Sequence, residues 1–175
     1  MRYLLSCSIV FVFCFQSQVF SAPMKMIGIK GKASEVTKII KVKMYDNYYE
    51  PKIINIKKGE TVKFIVENKG VLFHEFNIAT IAMHKKHGPE MLEMMKNGIL
   101  LPTKIDSKKM KEISKKNHKM SHSHSNSVLL EPNQKGELIW KFTSKIDLYG
   151  GCNVPGHLEA GTVSYTHLRA HETEE

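Results

Sequence analysis

The sequence predicts an all-β protein, a β-sandwich with a short, partly helical or flexible insert. Short runs rich in β-branched and aromatic residues, at 36–44, 52–56, 61–68, 73–78, 128–130 and 137–142, are separated by turn signals such as Lys57-Lys58-Gly59-Glu60 and Lys69-Gly70. The clearest runs alternate apolar and polar positions. They set Val62, Phe64 and Val66 on one face of one strand and Leu138, Trp140 and Phe142 on one face of another. Between the two groups of strands lies a stretch of different character, residues 81–126, rich in Lys, Met and His.

Taken in order, residues 1–21 read as a secretory signal: Met1-Arg2, an apolar run to Phe20, then Ser21-Ala22 as a cleavage site. No stop-transfer pattern follows, so no lasting membrane span is expected. Residues 22–35 are a Lys/Gly-rich leader, expected to be flexible. Residues 36–162 form the expected single domain, long enough for one core. Within the insert a short helix is expected from Pro89, a further turn of helix from Ser107, and a flexible segment from His118 to Asn126. Residues 163–175 do not continue the preceding pattern. They resemble the in-frame translation of a transposase-type adaptor used in sequencing libraries. On that expectation Thr162 keeps only the first base of a gene-encoded codon, and methionine is expected at position 162.

The 175-residue chain carries a formal charge of +9. Its lysines are scattered and its arginines are Arg2 and Arg169 alone. This pattern, with the export signal, argues against nucleic acid and for an acidic protein partner or an anionic surface. Of three cysteines, Cys7 and Cys14 leave with the signal, and Cys152 remains without a disulfide partner. A lone cysteine in an exported chain is intermolecular, reactive or a ligand.

Ligand is the reading its neighbours favour. In Cys152-Asn153-Val154-Pro155-Gly156-His157 a Pro-Gly turn brings an imidazole back towards the sulfur. His74, in Phe73-His74-Glu75-Phe76, supplies a second imidazole from a distant strand. Cys plus two His is the donor set of a His₂Cys copper site, where a soft thiolate suits Cu(I) and imidazole serves both oxidation states.

These residues also carry a family resemblance. Tyr49-Glu50-Pro51-Lys52-Ile53, Gly59-Glu60-Thr61-Val62-Lys63-Phe64, Asn68 and His74, then Glu131-Pro132, Gly136-Glu137-Leu138 and the loop from Cys152 to Gly161, resemble the cupredoxins, the blue copper proteins that include plastocyanin and azurin. The nearest likeness is to exported bacterial copper-tolerance cupredoxins with a Met/His-rich insert. The resemblance implies a Greek-key sandwich and one type 1 copper per chain, cycling between Cu(I) and Cu(II). It makes His74, Cys152 and His157 the equatorial ligands. The family's axial methionine falls at position 162, where this sequence has Thr162. Plastocyanin and azurin place Asn after the first histidine, bonded across to the Cys loop. Here Glu75 stands there, and an ionised carboxylate cannot donate.

The insert is dense in copper donors. Met83, His84, His87, Met91, Met94, Met95, His118, Met120, His122 and His124 are candidates for a secondary copper site. The competing reading is that the methionines pack a small helix and the histidines are solvated. The expected function is an exported copper-binding protein, periplasmic if the source is Gram-negative, acting in one-electron transfer, copper tolerance or both. It would be a monomer that meets a redox or copper-handling partner. The alternative is a copper chaperone or sequestration protein working through the insert. A domain of a copper oxidoreductase is the rival from another class. His122-Ser123-His124 is a single His-x-His pair where such enzymes need several, so no enzyme is expected.

Overall fold

The computed structural model describes residues 26–169. The expected signal at 1–21 and tail residues 170–175 lie outside them. Two five-stranded sheets pack face to face. The first runs β1 (Ile29–Lys30), β10 (Lys135–Lys141), β5 (Thr61–Asn68), β2 (Lys38–Met44), β3 (Tyr49–Glu50). The second runs β4 (Ile53–Lys57), β12 (Val163–Arg169), β11 (Leu148–Gly151), β6 (His74–Ala79), β9 (Ser127–Leu130). Strands distant in sequence sit side by side, as in the expected sandwich.

The alternation read from the sequence is what builds the core. Val62, Phe64 and Val66 of β5 are buried, as are Leu138 and Trp140 of the adjoining β10. Phe64 meets Phe76 of the opposite sheet at 5.3 Å between ring centroids and Phe142 at 6.3 Å.

The described part of the leader, residues 26–35, is anchored, against the expectation that it would be flexible. Ile27 is buried, Ile29 and Lys30 pair with β10, and Trp140 Nε1–H donates to the Ile27 carbonyl at 3.1 Å. Gly28 is needed here. It has φ +132°, and a Cβ would lie 2.5 Å from Trp140 Nε1.

The insert contains α1 (Ile81–Lys96), a small hairpin of β7 (Leu100–Leu101) and β8 (Lys104–Ile105), and α2 (Ser107–Ser114). The helix expected from Pro89 begins eight residues earlier. Thr80 caps it, its Oγ1 accepting from the Met83 amide at 3.3 Å, and Pro89 sits inside. Asp106 caps α2 through the Lys109 amide at 2.9 Å. The segment expected to be flexible is ordered. His118–Ser121 is a 3₁₀ turn, Met120 and Asn126 are buried, and Asn126 Nδ2 donates to Asn77 Oδ1 at 3.0 Å and the Ile78 carbonyl at 2.9 Å. No described helix is long and apolar enough to cross a membrane.

β12 completes the second sheet, antiparallel to β11 and parallel to β4. Two of its inward positions, Ser164 and Thr166, are polar. Ser164 Oγ donates to the Pro51 carbonyl at 2.7 Å and Thr166 Oγ1 to the Leu148 carbonyl, beside the buried Ile54, Ile56 and Leu148 of the flanking strands.

Candidate metal centre

β6 is buried along its whole length. The period of two sends His74, Phe76 and Ile78 to the face shared with the opposite sheet, and Glu75 and Asn77 to the face under the insert. β11 ends at Gly151. The chain then turns through Cys152 to His157, closed by the His157 amide donating to the Val154 carbonyl at 2.9 Å and by Gly156 at φ +85°.

The three expected residues come together. Cys152 Sγ lies 3.8 Å from His74 Nδ1 and 3.5 Å from His157 Nδ1, and the two Nδ1 atoms are 3.2 Å apart. Bonds of about 2.0–2.3 Å from one ion to nitrogen and sulfur produce ligand–ligand edges of about 3.2–3.7 Å. The donor spacing therefore fits one ion held by all three. Cys152 and His74 are fully buried and His157 is half-buried.

Each ligand atom is prepared by its surroundings. His74 Nε2 lies 3.0 Å from Asp46 Oδ1, so the proton sits on Nε2 and Nδ1 keeps its lone pair for a metal. Burial lowers the His74 pKa despite Asp46, and burial with the nearby His74 lowers that of His157. Both imidazoles are thus neutral donors near pH 7. Burial works against the Asp46 charge, but the bond to His74 and the amides of Val71 and Leu72 hold its carboxyl below the ordinary range. Burial pushes the Cys152 thiol up to about 12, against the N–H groups of Glu75 and Val154 directed at the sulfur. A bound metal ion displaces that proton. Gly70 makes room for the Asp46–His74 pair: a Cβ there would sit 2.3 Å from Asp46 Oδ1 and 2.9 Å from His74 Nε2.

Glu75 resolves the departure noted in the sequence. Its N–H donates to Cys152 Sγ at 3.4 Å, and its carboxylate accepts from Asn153 N–H at 3.3 Å and Asn153 Nδ2 at 2.7 Å. The link from the first histidine's neighbour to the Cys loop is kept with donor and acceptor exchanged. Asn153, beside the cysteine, supplies the donors. Thr162 is buried next to the loop. Its carbonyl accepts from the Cys152 amide at 3.1 Å and its hydroxyl donates to the Asp46 carbonyl at 3.0 Å.

The sequence reading missed Asp46, which no local pattern marks. The candidate donors of the insert fall into different surroundings. Met91, Met94 and Met120 are buried in the core, and Met83 and Met95 pack against it. His84 is buried, Nδ1 against Asn153 Oδ1 at 2.9 Å and Nε2 against the Tyr149 carbonyl at 3.1 Å. His118 is exposed. His87 is shared by two clusters of donor atoms, one with Glu75 and His122 and one with Glu90 and His124.

The family profile described as Cupredoxin-like domain matches residues 6–97, over half of the chain. The copper-resistant cuproprotein CopI of Pseudomonas aeruginosa is 37% identical over 171 residues, 93% of this chain and 94% of the relative. CopI of Rubrivivax gelatinosus is 29% identical over 143 residues, 81% and 73% of the two chains. Among solved structures, auracyanin B superposes with a TM-score of 0.57 at 10% identity, over 81% of this chain and 96% of the other. Reduced auracyanin of Roseiflexus castenholzii gives 0.54 at 14% identity, over 76% and 97%. The likeness in structure is one of fold, the relationship in sequence runs nearly end to end, and together they make this chain a member of the cupredoxin-like family.

Proposed function

We propose that the chain is an exported copper-binding protein of copper tolerance, with one type 1 centre formed by His74, Cys152 and His157. The observation that carries this is the closure of Sγ and two Nδ1 atoms to within 3.2–3.8 Å of one another in a buried loop pair. The names of the P. aeruginosa and R. gelatinosus relatives support the copper-tolerance side of the reading. A bound copper ion supplies one-electron redox chemistry. The protein's part is to hold the three donors, keep both imidazoles neutral, direct amide N–H groups at the sulfur and exclude water. Ligands fixed by two strands and a closed turn reorganise little between oxidation states, which suits an electron carrier and not a turnover catalyst. The charge of +9 favours an acidic redox or copper-handling partner. Export of a Gram-negative chain would place it in the periplasm.

Visible and EPR spectra of the chain with one equivalent of Cu(II) test the reading. A strong thiolate-to-copper band is expected, and a pale nitrogen-and-oxygen spectrum would overturn it. Asp46→Ala removes the acceptor that orients His74 and should weaken copper binding about 10–100-fold, with the band retained, as is usual when a ligand loses its hydrogen-bond partner. Competition with a copper chelator measures it, and unchanged affinity would show that Asp46 does not position the ligand.

Position 162 is the expected axial position, and its hydroxyl is engaged with Asp46. Ser164 and Thr166, polar at buried positions of β12, support the reading that residues 163–175 replace a native, more apolar final strand. Long-read sequencing of the locus decides it. In the protein, Thr162→Met should change the band position and the copper hyperfine splitting by adding a thioether donor. Identical spectra would exclude an axial role for this position.

A further inference from the structure

We propose a second metal site beneath the insert for one borderline divalent cation of the Cu(II) or Zn(II) class, formed by the carboxylate of Glu75 with the imidazoles of His87 and His122, whose donor atoms lie within 4.8 Å of one another, and closed by His124 once the ion is bound. The first observation is the triangle of rings. The centroid distances are 5.5 Å for His87–His122, 4.9 Å for His87–His124 and 5.3 Å for His122–His124. A metal–nitrogen bond of 2.0–2.1 Å puts a ring centroid about 3.2 Å from the ion, so three imidazoles at tetrahedral angles stand about 5.2 Å apart. The observed triangle is close to that value on every side. None of the three ring pairs is stacked; their interplanar angles are 45°, 88° and 81°.

The second observation is an incomplete set of hydrogen bonds. His87 Nε2 and Glu90 Oε1 are buried and have no hydrogen-bond partner. His87 Nε2 is 3.3 Å from Glu75 Oε1, close enough for an ion pair but misaligned for a hydrogen bond. Buried polar atoms are seldom left so. A cation held between His87 Nε2 and Glu75 would satisfy the first. The other nitrogen of His87, Nδ1, lies 3.3 Å from Glu90 Oε2. A carboxylate behind the far nitrogen is the usual way a metal-bound imidazole is oriented. His122 Nε2 lies 2.8 Å from Glu75 Oε1, and His124 Nε2 3.5 Å from Glu90 Oε1. Burial disfavours a proton on His87, and Glu75 and Glu90 hold it up to about 10; a dication taking that place releases it.

The backbone is bent to make this meeting. His87 comes from α1, while His122 and His124 follow the 3₁₀ turn at His118–Ser121. His122 itself has φ 47°, a left-handed conformation rare for a residue with a side chain. The site is closed at Glu75, fully buried, and opens at His124, whose side chain is 38% exposed. That opening is an entry path.

The donors are nitrogen and oxygen only, without thiolate or thioether. They suit Cu(II) and Zn(II), with Cu(II) bound more tightly, and lack the soft sulfur that favours Cu(I). The site thus differs in chemistry from the Cys152 centre, yet touches it: the Glu75 carboxylate faces this cluster while its N–H donates to Cys152 Sγ.

Titration of the full chain with Cu(II), followed by absorption and EPR, tests the proposal. A second equivalent is expected that adds an EPR signal of nitrogen-and-oxygen coordination and no thiolate absorption. The double variant His87→Gln, His124→Asn should lose that equivalent and keep the thiolate band, which also reports that it has folded. His124→Asn alone, at the exposed corner, guards against misfolding and should weaken the same equivalent at least tenfold. Cys152→Ser should keep it, so the failure of the type 1 reading and of this one are distinguishable. Excess Zn(II) should displace the second signal and leave the thiolate band. Uptake of a single equivalent by the unaltered chain, or of both by the double variant, overturns the site.

Discussion

Cys152→Ser abolishes the intense visible absorption of the copper-loaded chain and weakens binding at the type 1 centre by more than about a hundredfold, beyond the loss typical of disturbing a ligand's partner. The argument rests on softness and on position. A serine hydroxyl is a hard, protonated donor that does not bond Cu(I) well and gives no thiolate charge transfer. Cys152 is fully buried between His74 and His157, with amide N–H groups at its sulfur. Among the described residues no second cysteine stands beside it to take its place. The fold itself should survive, since the change is one atom and the loop remains closed by its own backbone hydrogen bonds. Absorption, EPR and a thermal melt on the same sample separate the two effects. A band that persists in the serine variant places the chromophore elsewhere and removes the type 1 assignment.

The site and the sandwich were legible in the sequence for the same reason: their signals are local. Val62, Phe64 and Val66 alternate within one strand, and Cys152 and His157 lie five residues apart across a Pro-Gly turn. What escaped was set by contacts between distant segments. Pro89 looked like a helix start, whereas the cap is Thr80 and the helix runs through the proline. Residues 118–126 have no periodicity and read as flexible. They are held by Glu75 and by Asn77, 47 and 49 residues away in the chain. Methionine is both a copper donor and a core filler, and the sequence does not show that Met91, Met94 and Met120 are buried in the core. Asp46 is marked by nothing but its arrival beside His74, 28 residues on.

Glu75→Gln is expected to destabilise the fold by about 3 kcal/mol, because a fully buried carboxylate loses its charge and one of its two acceptors. Glu75 Oε2 accepts from the Asn153 amide and Asn153 Nδ2. Oε1 accepts from Ser127 Oγ at 2.6 Å, His122 Nε2 at 2.8 Å and Asn77 Nδ2 at 3.1 Å. Glutamine has the same shape but one carbonyl and one NH₂. Whichever way it turns, N–H meets N–H or O–H on one side, and His87 and His122 lose a negative partner. At roughly 2–4 °C per kcal/mol for a chain of this size, the melting temperature should fall by about 6–12 °C. Ser127→Ala is the contrast: it removes one donor of five and should cost about 1 kcal/mol. The pH dependence has a fixed sign. Burial opposes the Glu75 charge, but His122 and His87 hold its pKa well below the ordinary carboxylate value in the folded chain. Its contribution is therefore complete above the ordinary carboxylate range and is lost as pH falls below it, so the gap between wild type and Glu75→Gln should narrow in acid. The Cys152 loop feels the change as well, since Asn153 N–H loses its acceptor next to the ligand, and the thiolate band should shift. Melting temperatures within 2 °C of each other near pH 7, where roughly 6 °C or more is expected, would mean that the carboxylate is not what joins the insert, β6 and the copper loop.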